Sequence, residues 1–409
     1  MPSPITLATT LTALIGLALA LAGPAAAGSG VAAGGGDAAV VAAPAGEVRG
    51  WSADELRAAR PATPPTARPG GPRAGASQAR ARGSAAREVA GEGEAPLLAH
   101  GRVFFRAPGT DSGFSCSGTV VRSRTANLVY TAGHCVYDTD SGKPNHNVVF
   151  VPAYRDGQAP HGQYPAEVLY APAGWVTHND TSFDLGVISL REPVQQAIGT
   201  ARPIAFKQPL NRIKRFTTYG YPALPSPPYD GERPIACDVT FDRALNTGTP
   251  RSLIASPCEM RQGSSGGGWI APSGHLFSVI SSGYCEDGSE SCGQIVGPYF
   301  GNAAIELYKR AGGSEPIDLR VLRGPPRVTP ARRPAFRHVA DASTPVTYEC
   351  RVDRVPFSRC RTIWRAPRLR PGRHVFRVRA TDQTGRRALA RHVFLVRPKA
   401  RPLPLPTQG

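Results

Sequence analysis

The chain has 409 residues and a formal net charge of +18, from 48 Lys and Arg against 30 Asp and Glu. That length gives room for two or three domains whose cores stand without metals or staples. From Val321 to Gly409 there are 21 Lys and Arg against four Asp and Glu, so the rest is close to neutral and no nucleic-acid partner is expected.

In chain order, "ITLATTLTALIGLALALAGPAAAG" reads as the apolar region of a signal peptide, residues 1–27, with cleavage after Ala27. The chain's own amine is its only positive group, so an uncleaved anchor is the competing reading. The expected product is a secreted protein. Residues 28–94 are low in complexity, rich in Ala, Gly, Pro and Arg, and read as a pro-segment or linker. "WSADELRAAR" is the one stretch there with helical character. From about residue 95 to 313 short β-branched and aromatic runs alternate with Gly, Pro and Asp clusters, which predicts an all-β barrel or sandwich. "GNAAIELYKRAGG" predicts one short helix, with Asn302 as N-cap and Gly312 near its stop. Residues 314–335 read as a Pro/Arg-rich linker, 336–398 as a small basic β-sandwich, and 399–409 as an extended tail.

Eight cysteines in an exported chain suggest disulfides. They fall into four neighbouring couples: Cys116 with Cys135, Cys237 with Cys258, Cys285 with Cys292, and Cys350 with Cys360. None has C-x-x-C spacing. Pairing within couples is the expectation, because short loops close easily. Glu286, Asp287 and Glu290 crowd the third loop, but carboxylates there read as solvated rather than as calcium ligands. No metal and no cofactor is expected.

"EMRQGSSGGGWIAPSG" (259–274) carries the chemistry. Gly263, Ser265 and Gly267 satisfy the nucleophile elbow of α/β-hydrolases, and equally a G-x-S-G-G loop whose amides form an oxyanion hole. A plain Gly/Ser loop is the third reading. Acyl transfer by serine also needs a base and a carboxylate to orient it. His134, in "NLVYTAGHCV", ends an apolar strand at a small-residue turn. Asp184, in "NDTSFDLGVISL", precedes another such strand, with Asp180 as the alternative. The order His134, Asp184, Ser265 differs from the Ser, acid, His order of the hydrolases. The glycines and proline after Ser265 also make a poor helix, so the elbow reading falls.

These strings, with "GRVFF", "CSGTVVRS", "VFVPAYRDGQAPHGQYPA" and "GWVTHNDTSFDLGVISL", resemble the trypsin-like serine peptidases over residues 97–310. The resemblance is to the secreted bacterial branch that includes the glutamyl-endopeptidase-like enzymes. It implies an all-β fold: a double six-stranded β-barrel, chymotrypsin-like, with a short C-terminal helix, beside the small sandwich. It implies Ser265 as nucleophile, His134 as general base and acid, and Asp184 as the orienting carboxylate. The amides of Gly263 and Ser265 would form the oxyanion hole, Ser281 would support the carboxylate, and Ser281, Ser282 and Gly283 would pair with substrate backbone.

Two positions depart from the family. Ser264 stands where many relatives have the aspartate that captures a new N-terminus, so activation is not expected to use that switch. Glu259, six residues before Ser265, is the specificity candidate, but Arg261 replaces a usual cysteine and Ile280 the histidine of the glutamate-specific branch. Preference for Glu is therefore not expected, and preference for Arg or Lys stays open. "YECRVDRVPFSRC" and "LRPGRHVFRVRATDQTG" resemble immunoglobulin-like sandwich repeats of secreted bacterial proteins. That Arg-rich surface suits an anionic cell-envelope polymer, against the plainer reading of an arginine-biased composition. The expectation is a monomeric secreted serine endopeptidase acting on protein or peptide substrates. The alternative is a non-catalytic cell-surface binding protein on a protease-like scaffold.

Overall fold

The structure, a computed structural model, describes residues 36–63, 86–89, 95–224, 226–245, 252–283 and 293–398. The expected signal peptide and the tail from residue 399 lie outside the described residues.

Parts of residues 28–94, expected to be unstructured, join both barrels. Strand β1 (Val40–Pro44) pairs antiparallel with the later strand 164–172, Val40 opposite Pro172. Helix α1 (Ala53–Ala58), within the stretch expected to be helical, opens with a Ser52–Glu55 capping box. Strand β2 (Arg60–Pro61) runs parallel to 114–115, and β3 (Ala86–Glu88) pairs with 235–237. Two or three residues suffice for such strands, because the existing sheet edge supplies the hydrogen bonds and no apolar alternation is needed. The anchor is Trp51, 4% exposed, with its indole Nε1 donating to Asn147 O at 3.2 Å.

Helix α2 (Ala95–Leu98) leads into β4 (His100–Arg106), β5 (Gly113–Val121) and β6 (Leu128–Thr131). A small hairpin, β7 (Tyr137–Asp138) with β8 (Lys143–Pro144), follows. Then come β9 (His146–Pro152), β10 (Tyr164–Pro172), α3 (Ala173–His178), β11 (Gly186–Leu190) and α4 (Val194–Ala197). The order β10-β11-β6-β5-β4-β9 closes on itself because β9 also pairs with β10. This is the expected six-stranded barrel, with β1 and β2 added outside it. Val103, Val120, Val129, Phe150 and Ile188 fill its centre.

The second sheet uses β12 (Arg215–Gly220), β13 (Ile235–Leu245), β14 (Ser252–Ser256), β15 (Gly268–Ile270), β16 (Leu276–Val279), β17 (Ser282–Gly283) and β18 (Ile295–Pro298). Its order is β16-β15-β12-β13-β14-β18-β17, so among the described residues it is an open half-barrel, not a second closed ring. Trp269 stacks on Phe216 at 4.7 Å in its core. Helix α5 (Asn302–Arg310) covers the seam, burying Leu307 and Tyr308 while Tyr130 Oη donates to Ala304 O at 3.1 Å. Gly301, not Asn302, holds the N-cap position, and no side chain caps it.

The C-terminal sandwich starts earlier than expected. The supposed linker 314–335 supplies β19 (Asp318–Arg323) and β20 (Val328–Thr329). Then β21 (Ala335–Asp341), β22 (Val346–Val352), β23 (Ser358–Cys360), β24 (Ile363–Arg365), β25 (Gly372–Asp382) and β26 (Arg387–Val396) complete it. Leu319 and Val321 alternate inward from β19, which its Pro/Arg-rich setting hides. One sheet runs β19-β21-β24 and the other β20-β26-β25-β22-β23, around stacked Phe336 and Phe376 at 4.0 Å. The module is docked: Gln383 takes the N–H of Phe206 on Oε1 (2.7 Å) and gives Nε2 to its carbonyl (2.5 Å).

Three of the four expected cysteine pairings are present as disulfides: Cys116 to Cys135, Cys237 to Cys258, and Cys350 to Cys360. The fourth expected pairing, Cys285 to Cys292, is not among them. Both Cys285 and Cys292 lie outside the described residues, in the segment 284–292 between β17 and β18.

Candidate active site

Two adjacent strands of the closed barrel bring His134 and Asp184 together. β6 and β11 run antiparallel with Thr131 opposite Gly186, so the turn leaving β6 faces the residues entering β11. His134 lies on a 3-10 turn, Gly133–Cys135. A Cβ at Gly133 would sit 2.9 Å from Trp175 Cδ1 and 3.0 Å from Asp184 Oδ1, so this turn packs closely only with glycine there. The Cys135–Cys116 bridge ties the same turn to β5.

Asp184 is 0% exposed. Its Oδ1 accepts the His134 main-chain N–H at 2.9 Å, and its Oδ2 lies 2.9 Å from His134 Nδ1. Ser281 Oγ, reaching over from the half-barrel, donates to Oδ2 at 2.6 Å. A buried carboxylate satisfied in this way favours the ring tautomer with the proton on Nδ1, leaving Nε2 as the unprotonated nitrogen. His134 Nε2 is buried and has no hydrogen-bond partner among the described residues. Asp180, the alternative carboxylate, instead caps the turn before Asp184, accepting the Ser182 N–H at 2.8 Å.

Ser265 is tied through its main chain to the strand and the turn beside this pair, and no hydrogen bond joins its hydroxyl to His134 among the described residues. Its carbonyl accepts the N–H of Ser117 at 2.7 Å and lies 3.9 Å from Cys135 Sγ, beside His134. Ser117, missed in the sequence, is the organising residue of the loop. Its Oγ donates to Gly263 O and accepts the Tyr221 N–H, both at 2.9 Å. A serine directly after a bridged cysteine, within a strand predicted to be buried, was the available signal. Asn145 Nδ2, also missed, donates to His134 O at 3.2 Å.

Gly263 has φ +92°, and a Cβ there would lie 2.5 Å from Tyr221 O, so the position requires glycine. Neither its N–H nor that of Ser265 is engaged by another described residue. Ser264 turns inward and donates its Oγ to Arg261 O. Glu259 is half-buried and makes no ion pair among the described residues. Ser282 and Gly283 form β17, the last strand of the half-barrel's sheet, paired on one edge only among the described residues.

A closed barrel carrying a His–Asp pair, packed against a second barrel carrying a G-x-S-G-G loop, defines the class of chymotrypsin-like serine peptidases. The model of the trypsin-like peptidase domain matches residues 116–279, and through this domain the chain belongs to that family. It is 35% identical over 85 residues to the glutamyl endopeptidase of Bacillus licheniformis, covering 21% of this chain and 26% of that protein. It is 32% identical over 104 residues to an extracellular metalloprotease of Bacillus subtilis, covering 25% and 32%. The chain thus spans a third or less of the length of these curated relatives. A solved thermostable serine protease, AL20, is 35% identical, with TM-score 0.48 over 54% of this chain and 99% of that one. A metal, as in the second relative's name, does not fit this site. The sulfurs of Cys116 and Cys135, which flank His134, are bonded to each other and offer no thiolate.

Proposed function

We propose that the protein is a secreted serine endopeptidase that hydrolyses peptide bonds through an acyl-enzyme on Ser265. The observation that carries this is the chain of contacts Ser281–Asp184–His134 beside a Ser265 loop with two unspent amides. His134 Nε2 takes the Ser265 hydroxyl proton as Oγ attacks the substrate carbonyl. The oxyanion formed points at the N–H groups of Gly263 and Ser265. His134⁺ then gives its proton to the departing amine, leaving an ester on Ser265. Water, deprotonated by His134, hydrolyses that ester and restores the hydroxyl. In a substrate-free site the Ser–His hydrogen bond is often long and tightens on binding, which accounts for the unpartnered Nε2. No step needs a cofactor. Substrate backbone on the acyl side adds to the edge of β17 at Ser282–Gly283 that is unpaired among the described residues. Disulfides suit an oxidising compartment, and N-terminal sequencing of the exported protein checks cleavage after Ala27.

The test is labelling by a fluorophosphonate probe. Modification mapped to Ser265, and hydrolysis lost about 10⁶-fold in Ser265→Ala, is the expected result. A folded chain that neither labels nor cleaves a peptide library makes it the non-catalytic binding protein instead.

The same reading makes residues 36–62 an inhibitory pro-segment. Ser115 and Ser117 present their main-chain groups on the same edge of β5. Ser117 holds the Ser265 carbonyl, and Ser115 O accepts the Ala62 N–H at 2.9 Å. Positions two apart on a strand are about 6.8 Å apart, so β2 ends beside the nucleophile. With the acyl side on β17, the leaving side of a substrate must run where β2 lies. Ser265 is 2% exposed, in keeping with a covered cleft. Ala62→Pro removes the donor and is expected to raise peptide hydrolysis by the intact chain about five-fold, the worth of one hydrogen bond. An unchanged rate removes the inhibitory role.

A further inference from the structure

The excess charge of the sandwich is organised. In the five-stranded sheet Phe376, Val378, Phe394 and Val396 point into the core, so the residues alternating with them face outward. On that outward face Arg351 of β22 stands directly opposite Arg377 of β25, and Arg377 directly opposite Arg391 of β26. Three arginines thus form a row across three strands, with guanidinium groups rooted about 4.8 Å apart. Like charges placed directly opposite oppose sheet formation, so the row is a cost unless an anion meets it. None of the three has a carboxylate partner among the described residues. Arg351 lies over the Phe357 ring at 4.4 Å, and Arg377 spends one N–H on Asp353 O at 3.3 Å. Two acids lie near the row: Glu349 is taken by Arg379 at 2.8 Å, and the Asp353 carboxylate by His374 Nδ1 at 2.8 Å and the Val375 N–H at 2.9 Å. Arg359 and Arg373, both exposed, extend the field at either side.

We propose that this face binds a linear phosphodiester polymer of the cell envelope, with the Arg351–Arg377–Arg391 row as its centre. The row needs an anion that serves more than one guanidinium at once. Either anion can accept an arginine fork, but a tetrahedral phosphodiester turns its two free oxygens in different directions and so suits two neighbouring guanidinium groups better than a planar carboxylate does. Repetition along a polymer then engages Arg359 and Arg373 as further charges. A base-bearing strand fits less well, since stacking readers expose aromatic faces and the one ring here, Phe357, is covered by Arg351 and by Arg379 at 4.6 Å. The inference is independent of the catalytic reading, because binding is measured on the inactive chain.

The experiment uses the full chain carrying Ser265→Ala and, as probe, poly(glycerol phosphate). Binding should weaken steeply with salt, as counterion release requires. Adding R351Q, R377Q and R391Q together should lower affinity about ten-fold or more and shrink the slope of log K against log salt by about two. A control with R323Q, R337Q and R365Q removes equal charge from the other sheet and should bind as the parent does. An equal loss in that control overturns the placement of the site. Tighter binding to polyglutamate, single-stranded DNA or anionic lipid vesicles than to poly(glycerol phosphate) overturns the occupant. Unchanged hydrolysis when the row variants are placed in the Ser265-bearing chain, or an unchanged fold by circular dichroism if that chain is inactive, keeps a folding failure from passing as support.

Discussion

The two barrels divide the site unequally. The closed N-terminal barrel contributes side chains, His134 and Asp184, held between strands paired all the way round. The open C-terminal half contributes mainly backbone to the proposed site: the amides of Gly263 and Ser265 and the edge of β17 left unpaired among the described residues, with Ser265 as the proposed nucleophile. Closure suits a pair whose mutual geometry must not drift. An open end leaves unpaired N–H and C=O groups, which is what an extended peptide recognises. Ser281 crosses this division, rooted in the half-barrel while its hydroxyl completes the other barrel's carboxylate.

Substitutions on each side should separate the two contributions. Asp184→Asn keeps the shape but offers the wrong tautomer to His134, and should lower kcat about 10⁴-fold with little change in KM. Gly263→Ala strains a backbone at φ +92° and drives a methyl toward Tyr221 O, so it should lower kcat about 10²- to 10³-fold through the oxyanion. If it raised KM alone, the half-barrel's amides would serve ground-state binding only. Ser281→Ala removes one charge-assisted hydrogen bond and should lower kcat about ten-fold, an effect that vanishes in the Asp184→Asn background if Ser281 acts through that carboxylate.

The smallest effect concerns the seam itself. His100, from β4, stacks on Tyr219 of β12 at 4.2 Å. Burial first, and the charge of Arg202 second, hold its imidazole well below its usual value of 6.5. A histidine whose folded value lies below its unfolded one contributes stability that is fully present above about pH 6.5 and is lost as pH falls below it. Denaturant midpoints should therefore decline on acidification from pH 6.5, and His100→Gln should flatten that decline. Equal slopes in both proteins would place the acid-sensitive group elsewhere.

What was readable in the sequence follows the same division. His134, Asp184 and Ser265 stood out because the work proposed for them is side-chain chemistry carried in distinctive strings, and the fold class followed from short strands punctuated by turns. Elements that act through main chain were hidden. β1, β2 and β19 sit in Pro-, Ala- or Arg-rich stretches, and a strand borrowing hydrogen bonds from an existing edge leaves little trace in hydropathy. Ser117 was missed for a related reason, since its three contacts join parts of the chain far apart in sequence. The second barrel's incomplete closure depends on which strand ends meet in space, and no local pattern encodes that.

Gln383 grips both main-chain groups of Phe206, on the strap that connects one barrel to the other. Whatever holds the sandwich therefore holds the strap, and with it the direction in which the cleft opens. An enzyme moored in this way works like a tool in a fixed bracket. Should the arginine row bind as proposed, such an enzyme would cut what passes its mouth at one height and one angle above the surface, and reach would become as selective as chemistry.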